Sequence, residues 1–191
     1  DAVKTIYLSD WNNSYSTKQT PLAVRIAEEY NNSFHLAKNE DRGFSVITSI
    51  KQNNKAVTYK RVKNQTDIIK VELNEPLKPN SSYTLHLDYL VQIPNSKFTG
   101  YGITDDGDLN LRYWYITPAV YDGEWQYYSN KNLDDLFIPK SDISIKLEYP
   151  LEYKMTSDLD VSKTSQLNNK QLVTLSGKDR NTNKLYLSKH S

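Results

Sequence analysis

From Phe44 onward, polar and apolar residues alternate with a period of two. Phe44–Lys51 (FSVITSIK), Ala56–Val62 (AVTYKRV) and Ile68–Leu73 (IIKVEL) read as strands, with Gln52-Asn53-Asn54-Lys55 as a hairpin-like turn between the first two. Tyr83–Val91 (YTLHLDYLV) puts Tyr83, Leu85, Leu87, Tyr89 and Val91 on one face and Thr84, His86 and Asp88 on the other. The same alternation marks Val3–Leu8, Leu109–Thr117 and Ile143–Tyr149, and more faintly Leu151–Asp160, Gln171–Ser176 and Lys184–Ser188. Pro76–Ser81, Ser162–Lys170 and Gly177–Asn183 read as polar turns. Before all this, Asp10–Thr20 reads as a loop anchored by Trp11 and Tyr15. One segment has a helical period instead. Thr20 is an N-cap candidate, Pro21 stands at the first helical position, and Ala23, Ala27, Tyr30, Phe34 and Ala37 follow at steps of three and four. The pattern predicts a helix over Pro21–Ala37, ended by Asn39–Gly43. About ten strands and one helix make the fold mainly β, an open antiparallel sheet or sandwich rather than alternating β-α units.

The densest stretch is Leu111–Pro150. Tyr113, Trp114, Tyr115, Tyr121, Trp125, Tyr127 and Tyr128 crowd into sixteen residues of it. Each ring buries a large area and keeps a polar tip that needs a partner. Such a cluster either fills a core or domain interface or offers a face to a sugar or peptide.

Composition narrows the options. A chain of 191 residues suffices for one large β-domain, here read as residues 1–191, and can bury about 70% of its unfolded surface. Twenty-four basic and 23 acidic residues leave a net charge of +1, so no basic stripe speaks for nucleic acid. Cysteine is absent, which removes disulfides, thiolate zinc sites and cysteine nucleophiles together. No apolar run is long enough to span a membrane. The chain opens on Asp1 rather than Met, and its last apolar segment, Leu185-Tyr186-Leu187, stands at the very end; both features read as those of an excised piece. The compartment stays open, with an extracytoplasmic setting preferred.

Motifs for chemistry are missing. His35, His86 and His190 stand at no zinc spacing, and HExxH is absent. Asp105-Asp106-Gly107-Asp108 could suggest a calcium loop, but no acidic residue follows at the right distance, and Asp-Gly is a turn signal. Glu124, Asp134, Asp135 and Asp142 lie near the aromatics, yet no spacing singles out a catalytic pair. Glycine is too scarce for nucleophile elbows or phosphate loops. The metal and catalytic expectations for this chain are therefore both none.

Several segments together resemble a known family. Leu77-Lys78-Pro79-Asn80-Ser81-Ser82-Tyr83-Thr84-Leu85-His86-Leu87-Asp88-Tyr89 is similar to the L-x-P-x-x-x-Y-x-L-x-I-x-Y strand in the N-terminal domain of aminopeptidase-N-type zinc metallopeptidases, the gluzincins. Gly100-Tyr101-Gly102 follows where that family places a glycine-containing loop. Tyr113-Trp114-Tyr115-Ile116-Thr117-Pro118-Ala119-Val120-Tyr121-Asp122 resembles the QWYPxxAxYD segment of bacterial members, and Phe137–Pro150 resembles the strand after it. Tyr153–Asp158 resembles the Y-x-x-x-S that comes next. The resemblance implies a saddle-shaped antiparallel β-domain, without a cofactor of its own, in front of a catalytic domain that carries HExxH and zinc. It implies two partners, that catalytic domain and a peptide substrate, with Tyr113, Trp114 and Tyr115 nearest the cleft. Tyr121, Trp125, Tyr127 and Tyr128 would then be interface aromatics. Where many members place Gln or Glu to hold the peptide amine, Tyr113 and Tyr115 offer phenols without anionic charge. The helix at about 20–38 is a decoration outside the family pattern. A free-standing β-sandwich that uses the same aromatics for carbohydrate or protein is the alternative.

Overall fold

The computed structural model describes residues 2–132 and 136–190. In chain order its strands are β1 (Val3–Ser9), β2 (Phe44–Gln52), β3 (Lys55–Ala56), β4 (Thr58–Val62), β5 (Gln65–Leu77), β6 (Leu85–Gln92), β7 (Gly102–Ile103) and β8 (Leu109–Leu111). They continue as β9 (Thr117–Pro118), β10 (Val120–Asp122), β11 (Glu124–Gln126), β12 (Ser141–Pro150), β13 (Lys154–Ser157), β14 (Asp160–Leu167), β15 (Lys170–Arg180) and β16 (Leu185–Ser188). The single α-helix among the described residues is α1 (Pro21–Glu28). The fold is mainly β, and its sheets are antiparallel. Two compact units divide the chain: Asp1–Pro94 with Trp114–Phe137, and Asn95–Tyr113 with Ile138–Ser191.

The first unit holds a sheet in the order β4-β5-β1-β9, a second in the order β3-β2-β6, and the small ribbon β10-β11. Its core joins the two larger sheets: Leu8, Ile69 and Val71 from one meet Ile50 from the other, and Ile6, Ile47, Tyr59, Leu87 and Ile116 pack around them. Each such burial is worth about 1.5–3 kcal/mol. Val57 explains why the expected strand Ala56–Val62 is two strands. Lys55–Ala56 pairs with β2, whereas Thr58–Val62 pairs with β5. The Val57 N–H donates to the Ile50 carbonyl at 3.1 Å, its side chain is buried, and the chain changes sheets at that corner. Asn53 and Asn54 take φ of 48° and 65°, the paired positive values that a tight two-residue hairpin demands.

The helix is shorter than its apolar period suggests. Thr20 caps it by accepting from the Ala23 N–H, but it ends at Glu28 rather than Ala37. Tyr30 sits at φ 59°, 97% exposed, and the Asn31 carboxamide takes both the backbone N–H and the hydroxyl of Ser33. Side chains that bond the local backbone compete with helical hydrogen bonds, and here they win. Phe34 still reaches the interior, edge-on to Tyr15 at 6.1 Å, from a turn.

Close packing sets one clear expectation. A Cβ on Gly43 would lie 2.6 Å from Cδ of Pro94, whose ring has no rotamer to escape into. Gly43→Ala should destabilise this unit by about 1–3 kcal/mol, read as a lowered denaturant midpoint at unchanged slope.

The second unit contains the sheets β12-β15-β14 and β13-β16-β8-β7. Leu111, Tyr149, Leu159, Val173, Leu175, Leu185 and Leu187 are buried in it. The predicted turn Ser162–Lys170 is instead mostly strand: β14 is exposed at all eight positions, so no alternation betrays it. Its turn to β15 is Asn168-Asn169, again with positive φ at both residues. The Asp105–Asp108 stretch forms the turn between β7 and β8. Gly107 at φ 85° donates to the Thr104 carbonyl, and the Asp108 carboxylate accepts from the Tyr186 and Ser188 hydroxyls and the Lys189 N–H. The expected strand Leu109–Thr117 is interrupted. β8 pairs with β7 and β16, β9 pairs with β1, and the chain leaves the second unit for the first between Tyr113 and Trp114.

Candidate functional site

The aromatic connection begins at Tyr113, which is buried in the second unit with the Arg112 guanidinium 4.8 Å above its ring. The other two proposed cleft residues belong to the first unit. Trp114 and Tyr115 are half-buried and meet edge to face, centroids 5.7 Å apart at 80°. The indole N–H of Trp114 is buried without a hydrogen-bond partner among the described residues. Beyond them the Ile116 N–H donates to the Tyr89 hydroxyl at 3.1 Å, and the Ile116 side chain joins the core. Burial pushes the Tyr89 phenol above its ordinary pKa.

The next residues lie along β1. Pro118 and Thr117 pair with Leu8 and Ser9, and the Ala119 N–H donates to the Tyr7 carbonyl. Gly123, at φ 74°, turns β10 into β11 and faces Tyr121 to Trp125 across the ribbon, centroids 5.1 Å apart. Trp125 fastens the ribbon to the sheet: Nε1 donates to the Thr5 carbonyl at 2.9 Å, and the indole lies 6.2 Å from Tyr7. Tyr127 stacks on Tyr7 with centroids 4.0 Å apart at 8°. Burial, then the hydrogen bond to Tyr127, raises the Tyr7 pKa. Two rings face outward, Tyr121 at 50% exposure and Tyr128 at 58%. Beside Trp125, Ile6, Leu77, Leu85, Leu87 and Pro118 help line an apolar groove of about 340 Å³ within the first unit.

The connection is tied down at Ser129 and Asn130 by a buried carboxylate that the sequence reading missed. Asp67, fully buried on β5, accepts from the Ser129 hydroxyl and the Asn130 N–H, both at 2.7 Å. Asn130 in turn donates to the Ser14 hydroxyl. Burial pushes the Asp67 carboxyl up to about 6, despite these donors. A second buried acid, Asp10, accepts from Arg61 and Ser45 at 2.8 and 2.7 Å. Burial outweighs the guanidinium and raises its pKa as well. Only the Asp-Ile-Ile run at 67–69, an acid directly before two apolar β-branched residues, hinted at this network.

The remaining candidate acids are spread out. Glu124 is exposed on the ribbon and receives a long hydrogen bond of 3.4 Å from Gln126. Asp142, in the second unit, accepts from the Asp179 N–H. Asp134 and Asp135 lie outside the described residues. Among the described residues, no group of three or more His, Cys, Asp or Glu side chains could hold a metal ion, and no helix is long and apolar enough to cross a membrane.

No protein-family model matches the chain, and no curated protein matches its sequence. Solved structures do match its fold. An M1 zinc metallopeptidase from Deinococcus radiodurans superposes with a TM-score of 0.55 at 10% identity, over 98% of this chain and 35% of that one. A two-domain M1 zinc metallopeptidase mutant bound to L-tryptophan gives 0.54 at 12% identity, over 98% and 35%. The Deinococcus radiodurans enzyme, as a mutant bound to a Tyr-Ser-Ala substrate, gives 0.53 at 9% identity, over 97% and 35%. The chain thus spans about a third of the length of these proteins. At such low identity the likeness concerns backbone architecture: the chain has the fold of the N-terminal β-domain of M1 zinc metallopeptidases.

Proposed function

We propose that residues 1–191 form the N-terminal domain of a zinc metallopeptidase of the aminopeptidase-N type, bacterial in kind. The domain carries no catalytic machinery. It docks the catalytic domain of the same polypeptide, which would supply HExxH and zinc, and it walls one side of the peptide cleft with Tyr113, Trp114 and Tyr115. The observation that carries this reading is a fold shared over 98% of the chain with metallopeptidases about three times as long. Phenols at 113 and 115 predict looser selection for a free amino terminus than an acidic residue would give.

The coding sequence beyond Ser191 should contain HExxH with a distant Glu. The isolated chain should bind no zinc in a calorimetric titration and release no product from an aminoacyl dye. Turnover by this chain alone would sink the proposal.

The exposed rings of Tyr121 and Tyr128 favour a second reading, a carbohydrate-binding module. A glycan array separates the two. Binding that is lost in Tyr121→Ala, with the fold intact, would support the module.

A further inference from the structure

A feature of the first unit remote from the aromatic connection has no role in either reading. Arg42 is 7% exposed, and no carboxylate pairs with it among the described residues. Its Nη2 donates to the carbonyls of Phe34, His35 and Ala37 at 3.1, 3.4 and 3.3 Å, and its guanidinium carbon lies 4.8 Å over the Phe34 ring. Nη1 is buried and has no hydrogen-bond partner among the described residues. Arginine does not shed its charge, and a buried charge is ordinarily paired. Three neutral carbonyls and a ring face hold one nitrogen and the carbon but leave the charge without a counter-ion and Nη1 unsatisfied.

Arg42 also forms part of the wall of a polar pocket of about 390 Å³, shared with Ser16, Asn39, Glu40, Phe44 and Gln92. Gln92 is already engaged, its amide donating to the Asn39 and Arg42 carbonyls, which fixes that side of the wall. Ser16 and Asn39 bring side-chain donors. Glu40 is the one acidic group in the lining. We propose that this pocket takes a small oxyanion, a carboxylate or phosphate group, which supplies the counter-charge for the Arg42 guanidinium in its wall and is hydrogen-bonded by the Ser16 and Asn39 side chains. Glu40 opposes the anion by charge. Arginine satisfies such groups with short charge-assisted hydrogen bonds.

Calorimetric titration of the 191-residue chain with inorganic phosphate, and separately with acetate, tests the assignment and tells the two anions apart. At least one should bind saturably. Glu40→Gln should tighten that binding, by up to roughly fivefold for removal of one partly solvated charge. Arg42→Gln should abolish it. Should that variant fail to give the native circular dichroism, the double variant Ser16→Ala with Asn39→Ala keeps the guanidinium in place and should weaken binding severalfold. Titrations that do not saturate, or an affinity that none of these variants changes, would mean an adventitious ion only and would overturn the assignment.

Discussion

Arg61→Ala should cost the first unit about 3–5 kcal/mol at neutral pH, the cost of removing one partner of a buried ion pair. Asp10 is 2% exposed and depends on few donors. The Arg61 Nη2 reaches it at 2.8 Å and also donates to the Ser45 carbonyl, while Nη1 donates to the Thr66 carbonyl. Removal therefore leaves a buried carboxylate with only neutral donors, the Ser45 hydroxyl and the Asn13 N–H, and takes one donor each from the Ser45 and Thr66 carbonyls. The chain can limit the damage only by protonating Asp10, whose pKa burial already raises. The penalty should accordingly be smaller near pH 5 than near pH 8. Urea unfolding of both proteins at the two pH values reads this directly. A difference below about 1 kcal/mol, or one without pH dependence, would contradict the picture of a desolvated pair.

The second large effect concerns Asp67. Its folded pKa is about 6, and an unfolded Asp titrates near 3.9. Between those values the folded state holds a proton that the unfolded state has lost. The stabilisation is thus fully present below about pH 4 and disappears as pH rises through about 6. Two units correspond to about 3 kcal/mol. Asp67→Asn should flatten this part of the stability profile, so the wild-type minus variant difference is the quantity to follow. A difference that stays constant from pH 4 to 7 would refute it. Because Asp67 accepts the Asn130 N–H, local hydrogen exchange at that amide should report the same window.

Both expectations rest on polar groups inside a β-structure, and such groups are the part of this protein that patterning conceals. Strands β2, β6 and β12 follow from alternation because each has one wetter and one more covered face. Strand β14, wet on both faces, left no periodic trace. A helix pattern of seventeen residues gave eight helical ones, because Asn31 and Ser33 bond locally where apolar spacing alone would continue the coil. The aromatic segment was visible as a concentration of rings. Its division was not: Tyr113 belongs to one compact unit and Trp114 and Tyr115 to the other.

The amino-acid sequence by itself determined the β class, the turn at Asn53-Asn54, the cap at Thr20 and the concentration of rings at residues 113–128, since each is written in neighbours along the chain. Tertiary structure alone decided that Val57 is a corner between sheets, that Trp125 is a fastener on Thr5, and that Asp10, Asp67 and Arg42 are buried. Those outcomes depend on partners up to 120 residues away, as with Trp125 and Thr5. Desolvation and pairing are properties of a neighbourhood in space, and no local pattern encodes them.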